Sequence, residues 1–364
     1  MLHSPHMTKA NITTNNNATV TIEGELPHEA LKKHRAASLK HLGSKVKIDG
    51  FREGHIPENI LIDRIGEYTL LQEMAERALS EHYPLLLVEH KIDAIGRPDI
   101  SVTKLAAGNP LGFKITTAVM PVVELPDYAT LAKDAAKKIG NEPDLVTEED
   151  IDKVVGQLLA EKQKAESEKT NPPAGGQKTE NKEELTKMTD DVAKTFGPFE
   201  NVQQLRAKIR EGMEADKKRQ HIEKKRVEIM EVIMNETKVV IPDVLIDAEL
   251  NKLMAQISHD VEHMGMKHED YLKAIGKTDE DLRKEFRPDA EKRAKSQLVL
   301  NAIASKENIK PDQKELDHEV EHLLSHHMPK GASVGERERQ SATIYVETLM
   351  TNQKVLEFLE KQGM

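Results

Sequence analysis

The 364-residue chain is long enough for two or more domains but has little material for one large core. Apolar residues make up 37% of the sequence and charged residues 32%, with 3% aromatic residues and no tryptophan. This composition is typical of long amphipathic helices with much exposed surface. The absence of cysteine excludes disulfides and thiolate metal sites, and it fits a reducing compartment.

The net charge of −10 argues against general nucleic-acid binding. The acidic excess lies after residue 125, however, and the part before it is almost neutral. No apolar run approaches the ~20 residues that span a membrane, and the N terminus lacks the pattern of a signal peptide. We therefore expect a soluble, cytoplasmic protein without a membrane segment.

The first part of the chain predicts an α+β domain over residues 16–125, preceded by a disordered tail over residues 1–15. Alternation of β-branched residues marks the strands, and apolar residues three and four apart mark the helices. Pro84 is expected to kink or break the helix that contains it. The predicted elements are a strand at 18–25, a helix from Pro27 to about Val46, helices from Pro57 and over about 68–90, and strands at about 99–105 and 111–123.

After residue 125 the pattern is helical throughout. Residues 126–165 predict a connection and a first long helix, which begins in a capped acidic turn at 147–150. Residues 166–184 combine proline, glycine and polar residues and predict a flexible linker. Residues 185–364 predict an all-α body of helical hairpins. Its helices are expected at about 200–235, from Pro242, at about 279–306, from Pro311, and at about 334–361.

The loop between the first two helices reads Gly-Phe-Arg-Glu-Gly-His-Ile-Pro from Gly50 to Pro57. Its glycines permit a tight turn and its proline suits the start of a helix, so the loop would hold Phe51 and Arg52 in solvent. The alternative is that Phe51 folds back into the core. The loop is preceded by a basic strip, which would contact a phosphate backbone or serve only as a solvated helix face. The strip consists of Lys32, Lys33, Arg35, Lys40, Lys45 and Lys47.

Residues 48–60 resemble the signature of trigger factor, the ribosome-associated chaperone of bacteria, whose Gly-Phe-Arg-x-Gly-x-x-Pro loop docks beside the nascent-chain exit tunnel. Further segments match the family in the same order along the chain. They are the strand end at 119–125, Phe196-Gly197 with Leu205-Arg206, and residues 239–247. The resemblance therefore covers nearly the whole folded chain.

The resemblance implies an ATP-independent chaperone with an α+β ribosome-binding domain and an extended helical body with two hairpin arms. Its partners would be the large ribosomal subunit, through an exit-tunnel protein and rRNA, and unfolded or nascent polypeptides. A homodimer away from the ribosome is left open, and no cofactor is implied. Glu53 and His55 stand where the family commonly has lysine, which would weaken docking. The implied ribosome-binding residues are Gly50, Phe51, Arg52, Glu53, Gly54 and Pro57.

Trigger factors typically carry an FKBP-type prolyl isomerase domain between the first long helix and the later helices. Here only the 166–184 stretch occupies that place. No aromatic residue lies between Tyr128 and Phe196, and no alternating strands could build a sheet around a proline pocket. We therefore expect a form of the family without this domain, with no isomerase activity and no catalytic residues.

Methionine is abundant in the helical half, and its flexible, polarizable side chain suits a surface that adapts to unrelated clients. The alternative is ordinary filling of helix cores. Spacing alone does not separate the two. The candidate client-binding residues are Met213, Met230, Met234, Met254, Met264, Met328 and Met350.

A rival function comes from the sequence His-Glu-Val-Glu-His between His318 and His322. It matches the His-Glu-x-x-His motif, in which two histidines one turn apart bind zinc and the glutamate acts as base. His259 and His263 share this spacing, and His326 extends the first pair. A zinc peptidase or a metal-binding helical protein is thus the alternative. A peptidase also needs a third ligand and a cleft beside a sheet, which the helical pattern does not offer, so we predict no metal site.

Overall fold

The computed structural model describes residues 10–49, 51, 56–140, 145–169, 188–327 and 334–362, with the side chains of 166–169 and 326–327 not described. It confirms an α+β N-terminal part followed by an all-helical remainder with two helical hairpins. Among the described residues, no helix is both long and apolar enough to cross a membrane.

An antiparallel four-stranded sheet with the order β1-β2-β4-β3 forms the centre of the N-terminal part. Residues 11–15, predicted as part of a tail, are instead strand β1. Apart from Ile12, their side chains are polar, and most are exposed, but their backbone pairs with β2. Because this pairing uses main-chain groups only, the strand does not need an alternation of apolar residues and could not be predicted from one. The strands are β1 (Asn11–Asn15), β2 (Thr19–Leu26), β3 (Ala94–Lys104) and β4 (Leu111–Val119).

Four helices accompany the sheet: α1 (His28–Lys32), α2 (Arg35–Lys45), α3 (Glu58–Ile65) and α4 (Glu67–Glu89). The core lies between α4 and the inner face of β2 and β4, and its largest fully buried side chains include Ile22, Phe113 and Met74. The single helix predicted from Pro27 is thus two helices. Of the predicted kink or break at Pro84, the break does not occur, because α4 continues through it. Because Pro84 is exposed, the carbonyl that loses its donor can be hydrated.

Nine described helices follow. Helices α5, α7 and α10 were not among the predicted elements. Of the predicted linker, residues 166–169 continue α6, and the rest lies outside the described residues. The helices are α5 (Tyr128–Ile139), α6 (Glu148–Lys169), α7 (Asp190–Lys194), α8 (Val202–Glu236), α9 (Asp243–His263), α10 (His268–Ile275), α11 (Asp279–Lys306), α12 (Gln313–His327) and α13 (Glu336–Gln362).

The chain divides into two compact units. One consists of Met1–Glu124 with Thr237–Ala302, and the other of Leu125–Glu236 with Ile303–Met364. The first unit contains a hairpin of α9 and α11 with its own small core, and the second contains a hairpin of α12 and α13 with another. We call these hairpins the first and second arm.

Glycine is required where the first arm meets the sheet. Gly96 in β3 has a φ of +72°, and a Cβ there would lie 2.5 Å from a methyl group of Val244 in α9. A backbone hydrogen bond also joins the segment after β4 to the segment before α9, because the amide of Glu124 donates to the carbonyl of Lys238 at 3.1 Å. A side chain at position 96 would therefore be strained and would push the arm away from the strand.

Helices α6 and α8 are held together by ion pairs. The guanidinium of Arg206 donates to Glu148 at 2.8 Å and to Asp152 at 2.6 Å. Lys217 donates to Asp150 at 3.0 Å. The hydrogen bond from Arg206 lowers the pKa of Glu148, and the hydrogen bond from Lys217 lowers the pKa of Asp150. We call these contacts the α6–α8 ion-pair network.

In the second unit, Tyr128 at the start of α5 is joined to the end of α11. Its hydroxyl donates to the carboxylate of Glu307, and the ammonium of Lys306 lies 4.8 Å from the centre of its ring. Tyr128 is only 5% exposed. Burial, followed by the hydrogen bond to Glu307, raises its pKa to about 12. The contact therefore needs the protonated phenol.

We predict that Tyr128→Phe lowers the free energy of unfolding by about 1 kcal/mol, because Glu307 loses a donor but stays accessible to water. Urea unfolding followed by circular dichroism measures this. Since the folded pKa lies above the ordinary value, the contribution is present below about pH 10 and is lost as the pH rises through about 12. The control is Tyr345→Phe at an exposed position. An equal effect of both variants would contradict the prediction.

Candidate functional site

The connection between α2 and α3 contains Phe51, which is 39% exposed. Its backbone amide donates to the carbonyl of Ile48 at 3.1 Å, which makes a turn just before the ring. Phe51 is therefore not a core residue, contrary to the alternative interpretation of the loop. Pro57 is exposed and caps the start of α3 with extended backbone. Gly50, Arg52, Glu53 and Gly54 lie outside the described residues.

One ion pair joins the two helices that lie on either side of this connection. Arg35 is the first residue of α2 and Glu58 is the first residue of α3. The Nε and Nη2 atoms of Arg35 both donate to Oε1 of Glu58, at 3.0 and 2.7 Å. We call this contact the loop-base pair. It ties the helix before the loop to the helix after it.

The predicted basic strip divides into structural and solvent-facing cations. Lys33 donates to Glu81 of α4 at 2.7 Å, and this bond lowers the pKa of Glu81. Arg35 belongs to the loop-base pair. The other four lysines, Lys32, Lys40, Lys45 and Lys47, are exposed.

His34 lies beside these contacts. Its Nε2 atom is 3.1 Å from Glu81, but the ring is largely buried. Desolvation dominates and lowers the pKa of His34, while the charge of Glu81 acts in the opposite direction. His34 therefore adds little positive charge to the strip at neutral pH.

The structure corrects three of the candidate client-binding methionines. Met230, Met234 and Met254 are buried on the inner faces of α8 and α9, where they fill helix contacts and cannot reach a client. Met350 packs against the core of the second arm, and Met213 is half-buried. Met328 lies outside the described residues.

Met264 is the most exposed of the described candidate methionines, at 72%. Met264 directly follows the last residue of α9. Two further exposed apolar residues are near it in sequence: Met266, just before α10, and Ile275, the last residue of α10. In the second arm, Ile344, Tyr345 and Leu349 are exposed on α13. Of these two apolar sets, one on each arm, Met264 was among the candidates named from the sequence, whereas Ile275 and the three exposed residues of α13 were not. For α13 the sequence did contain a sign of such exposure. Its apolar residues between 342 and 350 are spread around more of the helix than a single buried stripe would need.

The histidine motifs do not form a metal centre in the part of the chain that is described. His318 and His322 are on the exposed face of α12. Glu321, between them, pairs with Arg339 of α13 at 2.7 Å. The rings of His259 and His263 lie 4.4 Å apart on α9. The described residues contain no group of three or more metal-binding side chains, so a zinc peptidase is not supported.

Two family models match this chain. The model described as bacterial trigger factor protein matches residues 8–158, and the model of its C-terminus matches residues 201–361. Neither covers residues 159–200, which include the predicted linker. Together the matches span both units.

Several curated relatives are similar over most of their length. The trigger factor of Caldicellulosiruptor bescii is 23% identical, and the alignment covers 93% of this chain and 92% of the relative. That of Moorella thermoacetica is 26% identical, with 84% of each chain covered. A solved chain from a study of promiscuous substrate recognition in folding and assembly by the trigger factor chaperone has a TM-score of 0.56. It is 15% identical, and the match covers 98% of this chain and 100% of that one.

Proposed function

The chain belongs to the trigger factor family, and from this premise we propose that it is an ATP-independent chaperone that docks on the large ribosomal subunit beside the exit tunnel. Phe51 carries the proposal, because it stands exposed at the aromatic position of the family's docking signature. The four exposed lysines precede it in the chain. An aromatic ring with nearby cations suits a surface made of protein and rRNA.

The two apolar sets on the arms are the proposed client surface. Methionine and aliphatic side chains adapt to many sequences, and the charged residues around them keep such an open surface soluble. The solved relative is described as recognising substrates promiscuously. We infer the same class of client here, namely unfolded or nascent polypeptides. We propose a cytoplasmic location, with a homodimer as the candidate state away from the ribosome.

We predict that Phe51→Ala weakens ribosome binding about tenfold, because truncating an aromatic anchor typically costs more than 1 kcal/mol. Co-sedimentation with purified ribosomes at several salt concentrations measures the change. The matched control is Tyr68→Ala, which removes an exposed ring from α4 of the same unit. Normal co-sedimentation of the Phe51 variant would overturn ribosome docking through this loop.

We expect Glu58→Ala to weaken ribosome binding about threefold, because a broken loop-base pair leaves the loop less fixed. If Arg35 instead contacted rRNA directly, Glu58→Ala would strengthen ribosome binding, because the substitution would free this cation. The control is Glu67→Ala, which likewise removes a carboxylate from the first residue of a helix. Tighter binding of the Glu58 variant than of this control would refute a positioning role for the pair.

We further propose that the chain lacks prolyl isomerase activity, since its family matches leave out the segment where an isomerase domain would be inserted. A cis prolyl peptide should relax at the uncatalysed rate, over tens to hundreds of seconds at 25 °C, whatever the protein concentration. The same preparation should suppress aggregation of a denatured protein without ATP. Concentration-dependent acceleration of isomerisation would contradict the first expectation. Failure to suppress aggregation would favour a helical scaffold without chaperone function.

A further inference from the structure

Three polar side chains form a hydrogen-bond chain across the first arm. Oγ of Ser258 in α9 lies 3.0 Å from Nδ1 of His268, and Nε2 of His268 lies 2.9 Å from Oδ1 of Asp279. His268 is the first residue of α10 and Asp279 is the first residue of α11. Because a carboxylate only accepts, Nε2 carries the proton, and the serine hydroxyl donates to Nδ1. One imidazole thus links three helices.

The order serine, histidine, aspartate also occurs in nucleophilic hydrolases. There the serine is activated for attack on a substrate held in a cleft, with donors arranged for the oxyanion. Here the serine lies inside a helix and the three groups bridge neighbouring helices, so the geometry favours positioning over catalysis.

Helix α10 depends on outside contacts for its order. It has eight residues, and none of them is buried. A helix of this length is not stable alone in water, and most helices are stabilised by packing an apolar face. The turns at its two ends use Gly265 and Gly276 at positive φ. The hydrogen bonds of His268 therefore supply a directional anchor where apolar packing is weak.

The anchored segment is flanked by the apolar set of the first arm. Met264 and Met266 occupy the turn just before His268, and Ile275 ends α10. We propose that His268 is a positioning residue for client binding, which holds α10 and the turn before it in the conformation that exposes these side chains. This inference rests on the proposed chaperone function and assigns a structural cause to part of its client surface.

The test uses the full chain with His268→Ala, His268→Gln and Ser258→Ala. Amide hydrogen exchange over residues 264–279 should become about tenfold faster in His268→Ala, because two hydrogen bonds are lost, one of them to a charged group. Affinity for reduced, carboxymethylated α-lactalbumin, a permanently unfolded probe, should fall about threefold. His268→Gln should retain both properties, since its carboxamide accepts and donates at similar spacing. Ser258→Ala should show a smaller loss.

The control is His318→Ala, an exposed histidine on the second arm, which should change neither readout. If the wild-type chain does not bind the probe, the proposed chaperone function fails. If the wild type binds and His268→Ala binds equally well, the positioning role is wrong even if exchange is faster. It is also wrong if Met264→Ser leaves affinity unchanged, or if His268→Gln behaves like His268→Ala.

Discussion

A pair of packed helices buries only one stripe of side chains on each partner, and this constraint governs the molecule outside its sheet. The cores of the two arms are correspondingly small and separate. With 37% apolar residues, the chain cannot surround its helices with further layers. The remaining faces are therefore mostly polar, apart from the two apolar sets on the arms, and ion pairs add contacts between neighbouring helices. Individually such exposed pairs contribute little, but Arg206 serves two carboxylates at once, which makes the α6–α8 network more ordered than an isolated pair.

The position of the α6–α8 ion-pair network bears on the family resemblance. The segment that the family models leave out begins within α6 and ends just before α8. The N-terminal parts of these two helices are joined by Arg206, and Ile151 of α6 is fully buried. Helices α6 and α8 are thus held together by contacts that they make with each other. Because the pKa of Glu148 is lowered in the folded state, this stabilisation is present above the ordinary pKa of a glutamate and is lost as the pH falls through the lowered value.

Sequence reasoning identified the fold class and most long elements because their periodicity is strong, as in α8, α11 and α13. It missed β1, whose pairing is a main-chain property, and α10, whose apolar residues are few. It placed Met230 and Met234 among client-binding candidates because spacing shows which residues share a helix face but not what covers that face. The loop-base pair could not be predicted either, because Arg35 and Glu58 are 23 residues apart in the chain and are brought together only by the turn between their helices. The displayed position of Phe51 was one of two open alternatives until its burial was known.

The division of the basic strip changes how docking would work. Lys33 and Arg35 are engaged with Glu81 and Glu58, so these two cations of the strip are already paired within the protein. Glu53 adds a negative charge to the sequence of the loop. Coulombic attraction between exposed groups is screened by salt, whereas burial of an aromatic ring is not. The proposed docking would then depend more on Phe51 than on charge. Its affinity would be modest but would persist at physiological ionic strength, where a purely cationic contact would be weakened.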